Sequence, residues 1–105
     1  MNNKTDLNPF TEKVITIIQS IPAGRVMTYS QIANAAGKKR GAREVSWILH
    51  SMSRNYNLPW HRVINAQGEI TYKGSEQREL LAMEGVICNR NGKIDLSKYQ
   101  WSPST

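Results

Sequence analysis

Apolar residues in the first half of the chain recur at helical rather than strand spacing. Phe10, Val14, Ile17, Ile18 and Ile21 share one face of a helix that Asn8-Pro9-Phe10 opens, with proline near its first position, and that Pro22-Ala23-Gly24 ends. A short connection through Val26 and Met27 leads to Thr28-Tyr29-Ser30, where a hydroxyl can cap a second helix running from about Ser30 to Ala36 and stopping at Gly37. The basic turn Lys38-Lys39-Arg40-Gly41 follows. Val45, Ile48, Leu49 and Met52 then repeat at i, i+3, i+4 and i+7, which predicts the buried stripe of a third helix from about Ala42 to Arg54. Two helices joined by a short Gly-containing turn make a helix-turn-helix. Beyond Asn55-Tyr56-Asn57 the apolar runs shorten. Val63-Ile64 and Ile70-Thr71-Tyr72, flanking Asn65-Ala66-Gln67-Gly68, predict a two-stranded wing. Ser75 is expected to cap a fourth helix through Glu84, with Leu80 and Leu81 inward and Gly85 as its stop. Val86-Ile87-Cys88 and Lys93-Ile94-Asp95 around Asn91-Gly92 suggest a second hairpin, with Tyr99 and Trp101 packing it down.

Composition narrows the class without naming a function. A chain of 105 residues fits one small domain, expected to span 1–105, and 39% hydrophobic with 21% charged residues argues against disorder. No apolar run approaches a membrane span, and Met1-Asn2-Asn3-Lys4 lacks the apolar segment of a signal peptide, so a cytoplasmic protein with no membrane partner is expected. The lone cysteine, Cys88, cannot form an internal disulfide, and with only His50 and His61 as other soft ligands no metal or other cofactor is expected. Charge changes the picture more. Between Arg25 and Arg62 seven basic side chains face a single acid, Glu44, so the whole formal net charge of +6 lies in the segment that holds the helix-turn-helix. A phosphate backbone would meet the protein there, although a solvated basic face has the same composition.

The candidate chemistry lies in Pro59-Trp60-His61-Arg62-Val63. This run resembles the Pro-Cys-His-Arg-Val of the O6-alkylguanine DNA alkyltransferases, whose cysteine takes the alkyl group off the damaged base. Further blocks resemble the C-terminal DNA-binding domain of that family in order and spacing: Ile21-Pro22-Ala23-Gly24-Arg25-Val26, Thr28-Tyr29, Ile32-Ala33, Arg43 with Val45, Gly68, and Leu80-Leu81-Ala82 with Glu84. The resemblance spans about Phe10 to Gly85. With Trp60 in the cysteine's place it is a resemblance to the alkyltransferase-like branch, which binds alkylated guanine without repairing it and lacks the transferases' preceding domain. The expected fold class is therefore mainly α with small β hairpins, a winged helix-turn-helix DNA-binding domain. An indole has one N–H donor and no usable lone pair, whereas a thiolate is a strong nucleophile, so no catalytic residue is expected.

The resemblance implies a role for each matching residue. Arg43 would enter the duplex and fill the space of an extruded base, Tyr29 would turn the damaged nucleotide out, and Ser30 would join them at the DNA. Tyr29, Trp60 and Val63 would line the lesion pocket, with either Tyr72 or Lys73 facing the base. The stretch Tyr72-Lys73-Gly74-Ser75 departs from the family's spacing by one residue, and Met52 stands where the transferases carry asparagine. His61, Arg62 and Glu84, which organise the cysteine in the transferases, become structural remnants: His61 a satisfied interior imidazole and Arg62 a brace for the recognition helix or loop. The implied partners are double-stranded DNA containing O6-alkylguanine, entered through the minor groove, and nucleotide excision repair proteins, with the protein a monomer. Two competing readings stay in view. An active transferase using Cys88 fails because that residue lies outside the His-Arg context, whereas a winged-helix transcription regulator would prefer a sequence in the major groove over a lesion.

Overall fold

The computed structural model describes residues 7–70 and 74–103 and is mostly helical, with one small sheet. Helix α1 (Pro9–Ser20) begins where the sequence places it. The Asn8 side chain accepts from the Thr11 N–H at 2.8 Å, and Pro9 occupies the first turn, where its missing N–H costs nothing. Strand β1 (Met27–Thr28) runs directly into helix α2 (Tyr29–Ala35). The hydroxyl that caps α2 is Thr28, in a reciprocal box: Thr28 Oγ1 accepts from the Gln31 N–H at 3.0 Å, and Gln31 Oε1 accepts from the Thr28 N–H at 3.2 Å. Helix α3 (Ala42–Tyr56) extends two residues past its predicted end, because Asn57 adopts the left-handed conformation (φ 51°) that terminates it. Helix α4 (Glu76–Met83) and the short α5 (Leu96–Tyr99) complete the chain.

Two apolar clusters hold these elements. The first joins α1, α2 and α3 through Val14, Ile18, Ile32, Val45 and Ile48, each buried, as their helical spacing requires. The second joins Val26, Ile64, Leu81, Val86 and Ile94 on the other side of the sheet. Strand β2 (Val63–Ile64) has one side chain in each cluster, since adjacent strand residues point to opposite faces.

The strands pair differently from the two predicted hairpins. Strand β2 pairs in parallel with β1, Met27 opposite Val63 and Thr28 opposite Ile64, which anchors the loop carrying Trp60 to the start of α2. Thr71 and Tyr72, half of the predicted wing, lie outside the described residues. The turn before them is present: Asn65 Oδ1 accepts from the Gln67 and Glu69 N–H groups. Beyond it, Glu69 bridges antiparallel to Lys93, and the Ile94 N–H donates to the Gly68 carbonyl at 2.7 Å. The residues expected to make the second hairpin with Val86-Cys88 thus pair instead with the first turn. Gly68 permits this close approach, since a Cβ there would collide with the Ile94 carbonyl oxygen and φ is +77°. Asn89, just past the predicted partner strand, still meets Lys93: its N–H donates to the Lys93 carbonyl at 2.7 Å and its Oδ1 accepts from the Lys93 N–H at 3.0 Å.

Two further expectations change in detail. Ser75 precedes α4 but does not cap it; its hydroxyl donates to Glu79 Oε2 at 3.1 Å. The tail forms α5, capped by Asp95, and is fixed by the chain start of β1: the Val26 N–H donates to Tyr99 O at 3.0 Å and the Trp101 N–H to Val26 O at 2.8 Å.

Candidate nucleic-acid interface

Helix α3 turns Val45, Ile48 and Leu49 into the core, and the same 3.6-residue period places Arg43, Trp47, His50 and Arg54 on one exposed stripe. Glu44, the single acid of the basic segment, pairs with Lys38 at 2.9 Å, and that ammonium also lies 4.7 Å from the centre of the Phe10 ring. The other cations of this face keep their charge for a partner: among the described residues Arg43, Arg40 and Lys39 are exposed and form no ion pair. Trp47 is 64% exposed in the middle of the stripe. Sequence reasoning passed over it, although its position four residues after Arg43 and off the 45/48/49/52 stripe already placed it outward. Ser30 is exposed on the first turn of α2.

Trp60 sits at the start of a 3-10 turn, Trp60–Arg62, that follows Pro59. Its backbone N–H donates to Leu58 O at 2.8 Å, and the His61 ring meets the indole edge-on, 6.2 Å between centroids. The indole forms one wall of a cleft of about 460 Å³ between α2, α3 and α4. Tyr29 and Val63 line the same cleft, so three of the five predicted pocket residues come together there; Tyr72 and Lys73 lie outside the described residues. Burial raises the Tyr29 phenol above its ordinary value of 10.0, which keeps it a neutral donor at any physiological pH. The cleft also takes Ser46, His50, Ser53 and Arg54 from α3 and Glu76 and Gln77 from α4, none of them predicted. Helix periodicity could have found Ser46, His50 and Ser53, which recur at i, i+4 and i+7 beside the buried stripe. Nothing in the local pattern marks Gln77, a buried amide that donates to the carbonyls of His61 and Val63 at 3.1 Å each and so clamps the Trp60 turn onto α4.

Behind the indole stands Glu84. Its carboxylate accepts from Arg62 Nη2 at 2.7 Å and Arg62 Nε at 3.1 and 3.2 Å, from the Gly24 N–H at 3.1 Å, and meets His61 Nε2 at 2.8 Å. Burial by itself would raise this carboxyl. The Arg62 guanidinium, the His61 ring and the Gly24 N–H overcome that and lower it to about 2. Arg62 Nη1 also donates to Ile21 O at 2.8 Å. Of the two expected roles, Arg62 therefore braces the loop, tying the Trp60 turn to the ends of α1 and α4, and not the recognition helix. The three residues tie the Trp60 turn to two distant loops, while no thiol lies beside them. Cys88 packs on the second apolar cluster, away from this turn. Among the described residues no three His, Cys, Asp or Glu side chains converge on a point where a metal would fit.

This arrangement has relatives. Residues 9–86 match the family described as the DNA-binding domain of 6-O-methylguanine DNA methyltransferase. The DNA base-flipping protein of Escherichia coli (strain K12) is 41% identical over 96 residues, covering 89% of this chain and 74% of that protein. Alkyltransferase-like protein 1 of Schizosaccharomyces pombe is 32% identical over 106 residues, covering 92% and 98%. The crystal structure of S. pombe Atl1 in complex with damaged DNA containing O6-carboxymethylguanine superposes with a TM-score of 0.78 at 32% identity, covering 92% of this chain and 98% of that one. The fold is accordingly winged helix-like.

Proposed function

We propose, from the premise that the chain belongs to the family of the 6-O-methylguanine DNA methyltransferase DNA-binding domain, that it is a non-enzymatic sensor which flips O6-alkylguanine out of duplex DNA and holds it unrepaired. The observation that carries this reading is the indole of Trp60 in the wall of a cleft that also holds Tyr29 and Val63, beside an exposed cationic helix. A flat apolar wall suits a guanine ring or its alkyl group, and contributes on the order of 1–3 kcal/mol if it stacks. Transfer of the alkyl group would require a nucleophile at that wall, and an indole has no lone pair to offer. The names of the relatives support the coarse reading: one is called a base-flipping protein, and another is bound to damaged DNA.

Arg43, at the exposed start of α3, would fill the space the base leaves, because a guanidinium can stack and also hydrogen-bond the orphaned partner. Tyr29, at the first position of α2, would press on the backbone of the nucleotide as it turns, and Ser30 would contact the strand beside it. Entry would be from the minor groove, where base identity is poorly coded, so that selectivity comes from the cheaper extrusion of a weakened pair. The duplex would then bend toward the major groove. A lesion that is held but not repaired needs another route out of the DNA, and handover by a monomeric sensor to nucleotide excision repair supplies it.

The experiment is equilibrium binding at fixed salt to duplexes that differ by one O6-methylguanine. The sensor binds the lesion more tightly; equal affinity within error removes the reading, and preference for a base sequence instead of the lesion replaces it with a transcription regulator. Trp60→Ala should cut the lesion preference by roughly fivefold or more, the loss of a stacked ring, with less effect on intact DNA. Arg43→Ala should weaken binding and reduce extrusion, read by a fluorescent base analogue placed opposite the lesion. Retention of full discrimination by both variants would overturn the site assignment.

A further inference from the structure

Trp60 has a cleft on each side. Beyond the one it shares with Tyr29 and Val63 lies a larger, open cleft of about 780 Å³, along the last turn of α3 and the loop into the 3-10 turn. Ser53, Arg54 and Trp60 border both, so the indole and the end of α3 form the partition between them. We propose that the larger cleft receives the distal part of an O6 substituent, and that Arg54 makes the protein selective for substituents that end in a carboxylate. This rests on the reading of the smaller cleft as the seat of the extruded base.

The direction of the substituent follows from that reading. Position 60 is where the family resemblance places the alkyl acceptor, so the O6 group of a seated guanine points at the indole. A methyl group stops there. Longer substituents must pass the edge of the ring, and Arg54 lines both clefts together with Trp60. The charges around the larger cleft are of one sign, since Arg54 and Arg62 line it and no carboxylate does. Arg62 is committed to Glu84 at 2.7 Å, whereas Arg54 forms no ion pair among the described residues and is exposed. The Ser53 hydroxyl is occupied by the Leu49 carbonyl, and of the α3 side chains that line the larger cleft Arg54 is the one that carries a charge. Its base is rigid: the left-handed Asn57 closes α3, and the Leu58 N–H donates back to Ser53 O at 2.9 Å. A planar guanidinium carried on that backbone can meet a carboxylate in bidentate geometry, which a lysine or an amide would not.

The test uses four duplexes identical but for one position: guanine, O6-methylguanine, O6-carboxymethylguanine and its neutral amide, O6-carbamoylmethylguanine. Affinities are measured by fluorescence anisotropy at fixed salt for the wild type, Arg54→Gln and Arg54→Lys. The wild type is expected to bind the carboxylate about fivefold more tightly than the amide, the scale of a partly screened charge-assisted hydrogen bond. Arg54→Gln should bring that ratio near one while leaving the ratio of O6-methylguanine to guanine unchanged, and Arg54→Lys should keep part of it. The inference is overturned by a wild-type ratio near one. It is equally overturned by a ratio that survives Arg54→Gln, including the case in which all four affinities fall together as the loss of a phosphate contact would make them. If the wild type binds O6-methylguanine and guanine alike, the lesion-binding reading has failed and this inference goes with it, an outcome distinct from the other two.

Discussion

Glu84 is bonded by three groups from two separate parts of the chain: the Arg62 guanidinium and the His61 ring of the 3-10 turn, and the Gly24 N–H after α1. Its carboxyl ionises near 2 in the folded protein against 4.5 for the free side chain, so the folded state binds fewer protons here than the unfolded one. The resulting stabilisation is complete above about pH 4.5 and disappears as pH falls through about 2, and by linkage it is on the order of 3 kcal/mol. Urea unfolding of the wild type across that window should show the loss. Glu84→Gln should unfold about 2–3 kcal/mol more easily at neutral pH, because Arg62 is left half-buried without its carboxylate, and should show a flatter pH dependence below 4.5. An unchanged acid dependence in this variant would place the relevant carboxylate elsewhere. In a transferase the same His–Glu pair would work on a thiol; beside an indole its consequence is that the Trp60 turn is held rigidly in place.

Among the elements, α3 divides its work by face. Val45, Ile48 and Leu49 bind it to α1 and α2, Ser46 and Ser53 look into the smaller cleft, and Arg43, Trp47, His50 and Arg54 form the outward stripe, of which His50 and Arg54 also border that cleft. An exposed tryptophan between two arginines on the helix that would meet DNA is expected to pack against the sugar edges of the groove. Trp47→Ala should therefore weaken binding to damaged and intact duplexes alike, by roughly three- to tenfold, leaving the lesion preference in place. Its unfolding free energy should change by less than about 0.5 kcal/mol, because the ring contributes little to the core. A selective loss of lesion binding would move Trp47 into the base pocket and contradict the division of faces. The short strands have a different task. β1 and β2 are two residues each, too short to stabilise a sheet, and their parallel pairing serves to hold the Trp60 turn next to the start of α2.

The whole molecule is electrically lopsided, with its entire net charge of +6 between Arg25 and Arg62. Duplex affinity should consequently fall linearly with the logarithm of salt, with a slope of about −0.9 for each phosphate neutralised. Arg40→Ala, in the exposed turn between α2 and α3, should reduce that slope by about one unit for damaged and intact DNA equally. A slope near zero would remove duplex DNA as the partner. Much of this organisation was legible along the chain. Helix spacing located α1, α2, α3 and α4 and the apolar residues that bury α1 and α3, the charge count located the cationic face, and Pro59-Trp60-His61-Arg62 located the family, because each of these is a property of residues near one another in sequence. What required the tertiary structure was every pairing between distant segments. Apolar runs as short as Val63-Ile64 and Val86-Ile87-Cys88 fit a hairpin or a parallel bridge equally well, so only close packing around Gly68 and Ile94 decided which strand each met. Gln77 and the second cleft behind Trp60 were illegible for the same reason: a buried amide and a concavity arise only once α3, α4 and the 3-10 turn have come together, and no local pattern carries the free energy of that contact.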